Sequence, residues 1–528
     1  MRKNLALLSV IIIANILVYR QITGFKPVDL DEPHLLSEKW TGLKVTNSVR
    51  GVFRQDVFGE FYRPVLTLSF MLDARRSGEV FEPGVFHSTN LLIHVLNAVL
   101  CFALLAGLGY CAELAAGGAL IFSLHPAIAG ASAWIPGRND SLLFLAAGLA
   151  LLCLTLAVKR RSAPLFAAHL CFFLAALLTK ETAAVLAVIF PAWALLAGRG
   201  GAETVRARHA VLASVGWALC LAVYWFMRAA VIKAGAAPSF PGFAELLLRT
   251  GAYASYLFFP GSPPVYAWFK DLSLARIVWV NAAAITLFTA LWRLSGRHAL
   301  AVAIASAYLL ILPSAFSDSF IPHRTYLPAF FFAWALTEAG SLLRYKGRII
   351  ILLLLAAAAI YLGAATYGYL GNFKDPSAFW SNAYRASPSS EAAYQMGYRA
   401  QLRGDLAAAE KYYLTAMAKN PLVPDAANNL GVIYKQTGRW AQAMRFYEKE
   451  LAITPGRQLV LENMGNLLMA QGEYGRAAAV YRQKISADPG GAAAYANLIF
   501  CLRRLGMNAE ADEYAGRLAA LQSRSAQQ

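Results

Sequence analysis

Eleven apolar runs leave few folds open to this chain. They fall at 5–19, 87–108, 112–134, 141–158, 163–179, 182–197, 210–232, 275–293, 299–316, 325–343 and 349–371. About 20 apolar residues in a helix cross the hydrocarbon layer of a bilayer. Backbone inside lipid must satisfy its own hydrogen bonds, so runs of this kind predict helices. With 58% hydrophobic and only 15% charged residues in 528, the composition is that of a polytopic membrane protein. The expected fold class is all-α, with about eleven transmembrane helices followed by a C-terminal helical solenoid.

The basic residues orient these helices. Arg2 and Lys3 precede the first run and no small-residue cleavage pattern follows it, which predicts an uncleaved anchor with its N-terminus inside. The inner loops should then hold the positive charge. They carry Lys159, Arg160 and Arg161; Arg199, Arg206 and Arg208; Arg293 and Arg297; and Arg344, Lys346 and Arg348. The net charge of +18 is therefore read as topology, and no nucleic-acid partner is expected. An odd number of crossings puts everything after Leu370 on the outer side. The six cysteines, at 101, 111, 153, 171, 220 and 501, have no metal or redox spacing and are read as packing residues.

Ionisable residues collect on the outer side. The first outer loop, 25–86, opens with Asp29, Asp31 and Glu32 and closes on Tyr62, Arg63 and Pro64. Other outer segments bring His87 and His94, His125, Arg138 with Asp140, Lys180 with Glu181, and His323 with Arg324. Any one of these by itself reads better as an interfacial anchor, but such clusters converging on one face predict an outward polar cavity. Carboxylates and cations at membrane depth are costly and tend to be functional. The stretch from Phe243 to Phe259 mixes Glu245 and Arg249 with apolar residues at helical spacing. It is expected to lie as an amphipathic helix in the interface, or to pack as an ordinary helix.

After Gly371 a 34-residue period begins. Gly397, Gly431 and Gly465 recur, as do Gly404, Gly438, Gly472 and Gly506; Ala409, Ala443, Ala477 and Ala511; and Pro421, Pro455 and Pro489. Tyr412, Phe446 and Tyr514 share one column, with Val480 in their place in the third repeat. This is the tetratricopeptide (TPR) pattern, a stack of helix pairs that binds peptide or protein. The expected domains are 1–372, membrane; 373–390, linker; 391–520, four repeats; and 521–528, tail.

Taken in order, the acidic pair, Tyr62–Phe70, Phe86–His94, His125-Pro126, Gly137–Asp140, Lys180-Glu181, His323–Pro328 and the terminal repeats resemble the transmembrane-and-tetratricopeptide protein O-mannosyltransferases. These enzymes and their bacterial relatives belong to the C-type (GT-C) glycosyltransferase superfamily. The resemblance covers nearly the whole chain. It implies transfer of a sugar, mannose or another hexose, from a polyprenyl- or dolichyl-phosphate carrier to Ser or Thr hydroxyls of outer-side proteins. It also implies a bacterial plasma membrane with a periplasmic tail, or an endoplasmic reticulum membrane with a lumenal one.

Within that resemblance Asp31 and Glu32 take the places of the paired catalytic acids, with Asp31 as the base that accepts the hydroxyl proton. Arg138, Lys180, Arg63 and Arg324 become the cations for the donor phosphate, with Arg138 and Lys180 ranked first. His87, His94, His125, Asp140, Glu181 and His323 line the site. Relatives commonly carry an acidic residue before the last His-Arg, whereas Pro322 stands there in this chain. No cofactor is certain, and a divalent metal, though compatible, is not indicated, since Asp29 and Asp31 alone are a poor ligand set. Two alternatives remain beside protein glycosylation. One is transfer to a glycan or lipid acceptor. The other is a non-catalytic transporter of lipid-linked sugar, or a membrane scaffold carrying a protein-binding repeat array.

Overall fold

The computed structural model describes residues 2–30, 48–54, 61–78, 80–197, 203–232, 240–342 and 345–525. It divides into two compact units, Met1–Ser387 and Pro388–Gln528. Helices make up nearly all of both. The exception among the described residues is a two-stranded antiparallel ladder pairing Ala267 with Phe320 and Trp268 with Ser319.

In the first unit each of the eleven apolar runs is helical over most of its length. Six helices are long and apolar enough to cross a membrane: Arg2–Gly24, Pro83–Gly107, Ile135–Arg160, Leu274–Arg293, His298–Phe316 and Ile349–Phe373. A bent pair, Ala112–Ser123 with Pro126–Ala133, makes a seventh, while Ala163–Thr179, Glu181–Ala197 and Ala213–Ala229 are apolar but shorter.

Where the helices break, the sequence supplies the reason. The run at 112–134 turns by 51° at His125-Pro126, because proline lacks an N–H and disfavours helical backbone in the residue before it. Lys180 is extended, with φ −158° and ψ 130°, so the runs on either side of it are two helices. One core links the helices from Ile11 to Ala335, with Trp193, Phe330 and Trp334 among its largest buried side chains. Lipid tails are as apolar as leucine, so helices in a bilayer are also tied by buried polar bonds. Asn15 donates to Ser123 Oγ at 2.9 Å and Tyr19 Oη to the Ser123 carbonyl at 3.0 Å.

The described part of the first outer loop contains the helix Pro64–Arg76, with proline at its first position, where no N–H is needed. The amphipathic stretch is the helix Phe243–Phe258. Its first half exposes Phe243, Leu247 and Leu248, and its second half buries Tyr253 and Leu257. Arg249 pins it, donating to Glu245 at 2.5 Å, to Asp318 at 3.0 Å and to the Ser317 carbonyl at 2.7 Å.

The segment expected as a linker, 373–390, is helical over Pro376–Ala386 and belongs to the first unit. Asp375 caps it, and Trp380 is buried with its indole N–H on the Val28 carbonyl at 3.1 Å. The apolar side chains Phe379 and Trp380 hold it there.

The second unit is four helix pairs: Ser390–Leu402 with Leu406–Lys419, Ala426–Gln436 with Trp440–Ile453, Gln458–Ala470 with Tyr474–Ala487, and Ala492–Arg504 with Asn508–Ser525. The first-helix glycines are sites of close approach. A Cβ on Gly397, Gly431 or Gly465 would come within 2.8, 2.4 or 2.6 Å of the Tyr413, Tyr447 or Tyr481 ring. These buried tyrosines stand one residue after the aromatic column singled out from the sequence. In the fourth pair the same two positions hold Ile499 and Ala515. Bulk has moved from the second helix to the first, which conserves core volume.

Candidate active site

The cationic cluster of the first unit is built at the ends of four helices. Arg63 precedes the helix Pro64–Arg76 and makes a forked pair with Glu181, at 2.6 and 3.1 Å, the geometry that suits guanidinium and carboxylate planes. Glu181 follows the extended Lys180, whose Nζ donates to Asp140 Oδ1 at 2.6 Å. Asp140 lies in the first turn of the helix Arg138–Arg160. Its other oxygen, Oδ2, is 4.0 Å from His323 Nε2. Next to His323, Arg324 donates to the Ser319 carbonyl at 3.4 Å. Lys180 feels the charges of both Arg63 and Arg324, which makes these pairs one electrostatic site.

Three cations, Arg63, Lys180 and Arg324, therefore stand against two carboxylates, Glu181 and Asp140, a surplus of one positive charge (3 − 2). Arg63 and Lys180 are already paired. Arg324 has no carboxylate within ion-pair distance among the described residues and is partly exposed. It is the cation best placed to take an incoming anion, reversing the order expected from the sequence.

Burial and neighbours tune the groups. Burial pushes the Lys180 ammonium below its ordinary range, with Asp140 opposing the shift. Burial raises the Glu181 carboxyl, and Arg63 more than offsets this, leaving it below the usual carboxylate range. Burial lowers His323 to about 3, with Asp140 pulling the other way and Lys180 and Arg324 adding to the fall. At neutral pH it is therefore an uncharged imidazole with one N–H.

Arg138 departs from its expected role. It is fully buried and its donors are committed: Nε to Asn90 at 2.6 Å, Nη1 to the Ser69 carbonyl at 3.2 Å, and Nη2 to Asp73 at 2.5 Å and the Phe86 carbonyl at 2.8 Å. It fastens the helix Pro64–Arg76 to the apolar helices Pro83–Gly107 and Arg138–Arg160 and has no donor left for a phosphate. Its partner Asp73 went unnoticed in the sequence. The available signal was an acid on the Leu66, Phe70, Ala74 face of that helix, all three of which are buried.

Two histidines, His94 and His125, likewise have both ring nitrogens engaged by the fold. His94 sits between Tyr326 Oη at 2.7 Å and the Ser123 carbonyl at 3.0 Å. His125 Nδ1 accepts from the Ala127 N–H at 3.1 Å, capping the turn after Pro126, and its Nε2 lies 3.1 Å from the Leu257 carbonyl. His87 is buried beside Arg138. Asp31 and Glu32 lie outside the described residues. No group of three His, Cys, Asp or Glu side chains with metal-ligating geometry occurs among the described residues.

Residues 394–457 and 460–493 match models of the tetratricopeptide repeat, so the C-terminal unit contains TPR repeats. No curated protein matches the sequence. Among solved structures, a crystal structure of MamA protein is 18% identical, over 29% of this chain and 84% of that one, with a TM-score of 0.27. A second MamA crystal structure is 18% identical over 31% and 96%, with a TM-score of 0.28. The first TPR of Spaghetti (RPAP3) bound to an HSP90 peptide is 17% identical over 22% and 95%, with a TM-score of 0.21.

Proposed function

We propose that this chain is a membrane glycosyltransferase that takes a hexose from a polyprenyl- or dolichyl-phosphate carrier and transfers it to a protein hydroxyl on the outer side. The observation that carries the proposal is the cationic surplus around Arg324, set beside a carboxylate and a neutral imidazole at the ends of apolar helices. A departing lipid phosphate needs fixed positive charge where its own charge develops. A cation already neutralised by a carboxylate gives less of that than Arg324. In this reading Asp31 accepts the hydroxyl proton and Glu32 positions the acceptor. The tetratricopeptide unit holds the polypeptide acceptor and raises its local concentration. Eleven crossings would place both on the outer side.

The test uses the purified full chain in lipid nanodiscs with decaprenyl-phosphate hexose and a Ser/Thr-rich peptide, with the peptide mass read for added hexose. Wild type should add hexose and Asp31→Asn should lose about 10²–10⁴-fold, the usual share of general-base catalysis. Arg324→Ala should lose donor binding. A chain that binds the donor and never transfers would favour a transporter, and one that binds only peptide would favour a scaffold.

A further inference from the structure

Asp140 is buried, yet only one of its carboxylate oxygens is used. Oδ1 holds Lys180, while Oδ2 has no hydrogen-bond partner among the described residues. The indole N–H of Trp134, 5% exposed, is also unpartnered among the described residues. The Trp134 and His323 rings are 5.2 Å apart between centroids, and His323 Nε2 is 4.0 Å from Asp140 Oδ2. Buried polar atoms without partners are uncommon and costly. Here one of them lies 4.0 Å from the His323 imidazole and the other belongs to an indole packed against that ring.

The Nε2 edge is the one that meets Asp140. The opposite side of the His323 ring is packed against Gly130, where an added Cβ would lie 2.9 Å from Nδ1. A hydroxyl oxygen about 2.8 Å from each of two atoms 4.0 Å apart subtends close to a right angle, within ordinary bond lengths. It would donate to Oδ2 and accept from the Nε2 hydrogen of the neutral ring. The charges select the ligand. A free carboxylate oxygen repels an anion, and Lys180 and Arg324, whose charges both reach His323, disfavour a cation. A neutral group rich in hydroxyls satisfies both conditions, and the indole adds an N–H donor and a flat apolar wall.

We propose that Trp134, Asp140 and His323 form the subsite for the sugar ring of the donor, with Asp140 Oδ2 and His323 Nε2 sharing one ring hydroxyl and the phosphate turned toward Arg324. This subsite rests on the glycosyl-donor reading and divides the donor chemically. The hydroxyl-bearing ring goes to the Asp140–His323 edge, and the anion goes to the arginine.

The experiment compares binding of decaprenyl phosphate with that of its β-mannosyl and β-glucosyl forms by the full-length chain in nanodiscs. A hydrogen bond to a charged buried group is worth about 10–100-fold in affinity. Wild type should therefore prefer a glycosylated lipid over the bare phosphate by at least about tenfold. His323→Ala and the milder Trp134→Phe, which keeps a ring but loses the N–H, should erode that ratio while the bare lipid still binds within about threefold. Arg324→Ala should weaken all three lipids alike. An unchanged ratio in Trp134→Phe and His323→Ala overturns the subsite with the donor reading intact. Should His323→Ala fail to fold, the Trp134→Phe ratio decides alone. Failure of wild type to bind any of the three lipids overturns the donor reading, and the subsite falls with it.

Discussion

Replacing Arg138 with alanine separates a structural arginine from a ligand. Both Arg138 and Asp73 are buried, and their contact is 2.5 Å. Breaking a buried ion pair by deleting one partner costs about 3–5 kcal/mol, because the remaining charge is left uncompensated. Asp73 keeps Thr89 at 2.7 Å and a longer contact to Arg76 at 3.7 Å, which moderates the loss. Asn90 Oδ1 and the Phe86 carbonyl lose a donor as well, which adds to it. A net loss of about 4 kcal/mol is a large share of the roughly 5–15 kcal/mol that stabilises a typical domain. Arg138→Ala should therefore lower the melting temperature of the detergent-solubilised protein by roughly 10 °C. The double variant Arg138→Met with Asp73→Leu should recover part of that, since well-packed apolar replacements of a buried pair are often neutral. Arg324→Ala should melt near wild type and lose the lipid donor. The reasoning is refuted if Arg138→Ala melts like wild type while donor binding collapses.

Three further outcomes can be measured directly. His323 is held neutral by burial, at about 3 against an ordinary 6.5. Between those values the unfolded chain binds a proton that the folded one does not, so stability falls as pH drops. From pH 7 to pH 5 the loss from this group is about 2 kcal/mol, and His323→Asn should reduce the slope by that share in thermal melts taken across the range. In the repeats, Gly431→Ala drives a Cβ to 2.4 Å from the Tyr447 ring and should cost about 1–3 kcal/mol in urea denaturation of the C-terminal unit. Gly431→Ile with Tyr447→Ala, copying the arrangement of Ile499 and Ala515, should cost less than the sum of its single changes. Reporters fused after Arg517 and within the first outer loop should both score outside the membrane, and a tail reporting inside would remove the topology on which the shared face depends.

Much of this architecture is local and was legible in the sequence. An apolar run predicts a helix because the backbone satisfies itself within the segment. The run at 112–134, read from the sequence as one segment, is broken at His125-Pro126 instead. The 34-residue period predicts paired helices because each glycine must let a neighbouring ring approach. Gly404, Gly438, Gly472 and Gly506 all take positive φ in the turns between paired helices, as their recurrence implies. What the sequence could not supply was pairing. Arg138 and Asp73 are 65 residues apart, Lys180 and Asp140 are 40, and Arg63 and Glu181 are 118. The sequence names such groups by type, but whether a cation is neutralised depends on which carboxylate the fold brings to it. Arg138 drew attention as a cation with no topological task, and the tertiary structure gives it one, deep between helices. Arg324, ranked below Arg138 and Lys180 from the sequence, keeps its charge uncompensated among the described residues because Glu181 and Asp140 are already held by Arg63 and Lys180.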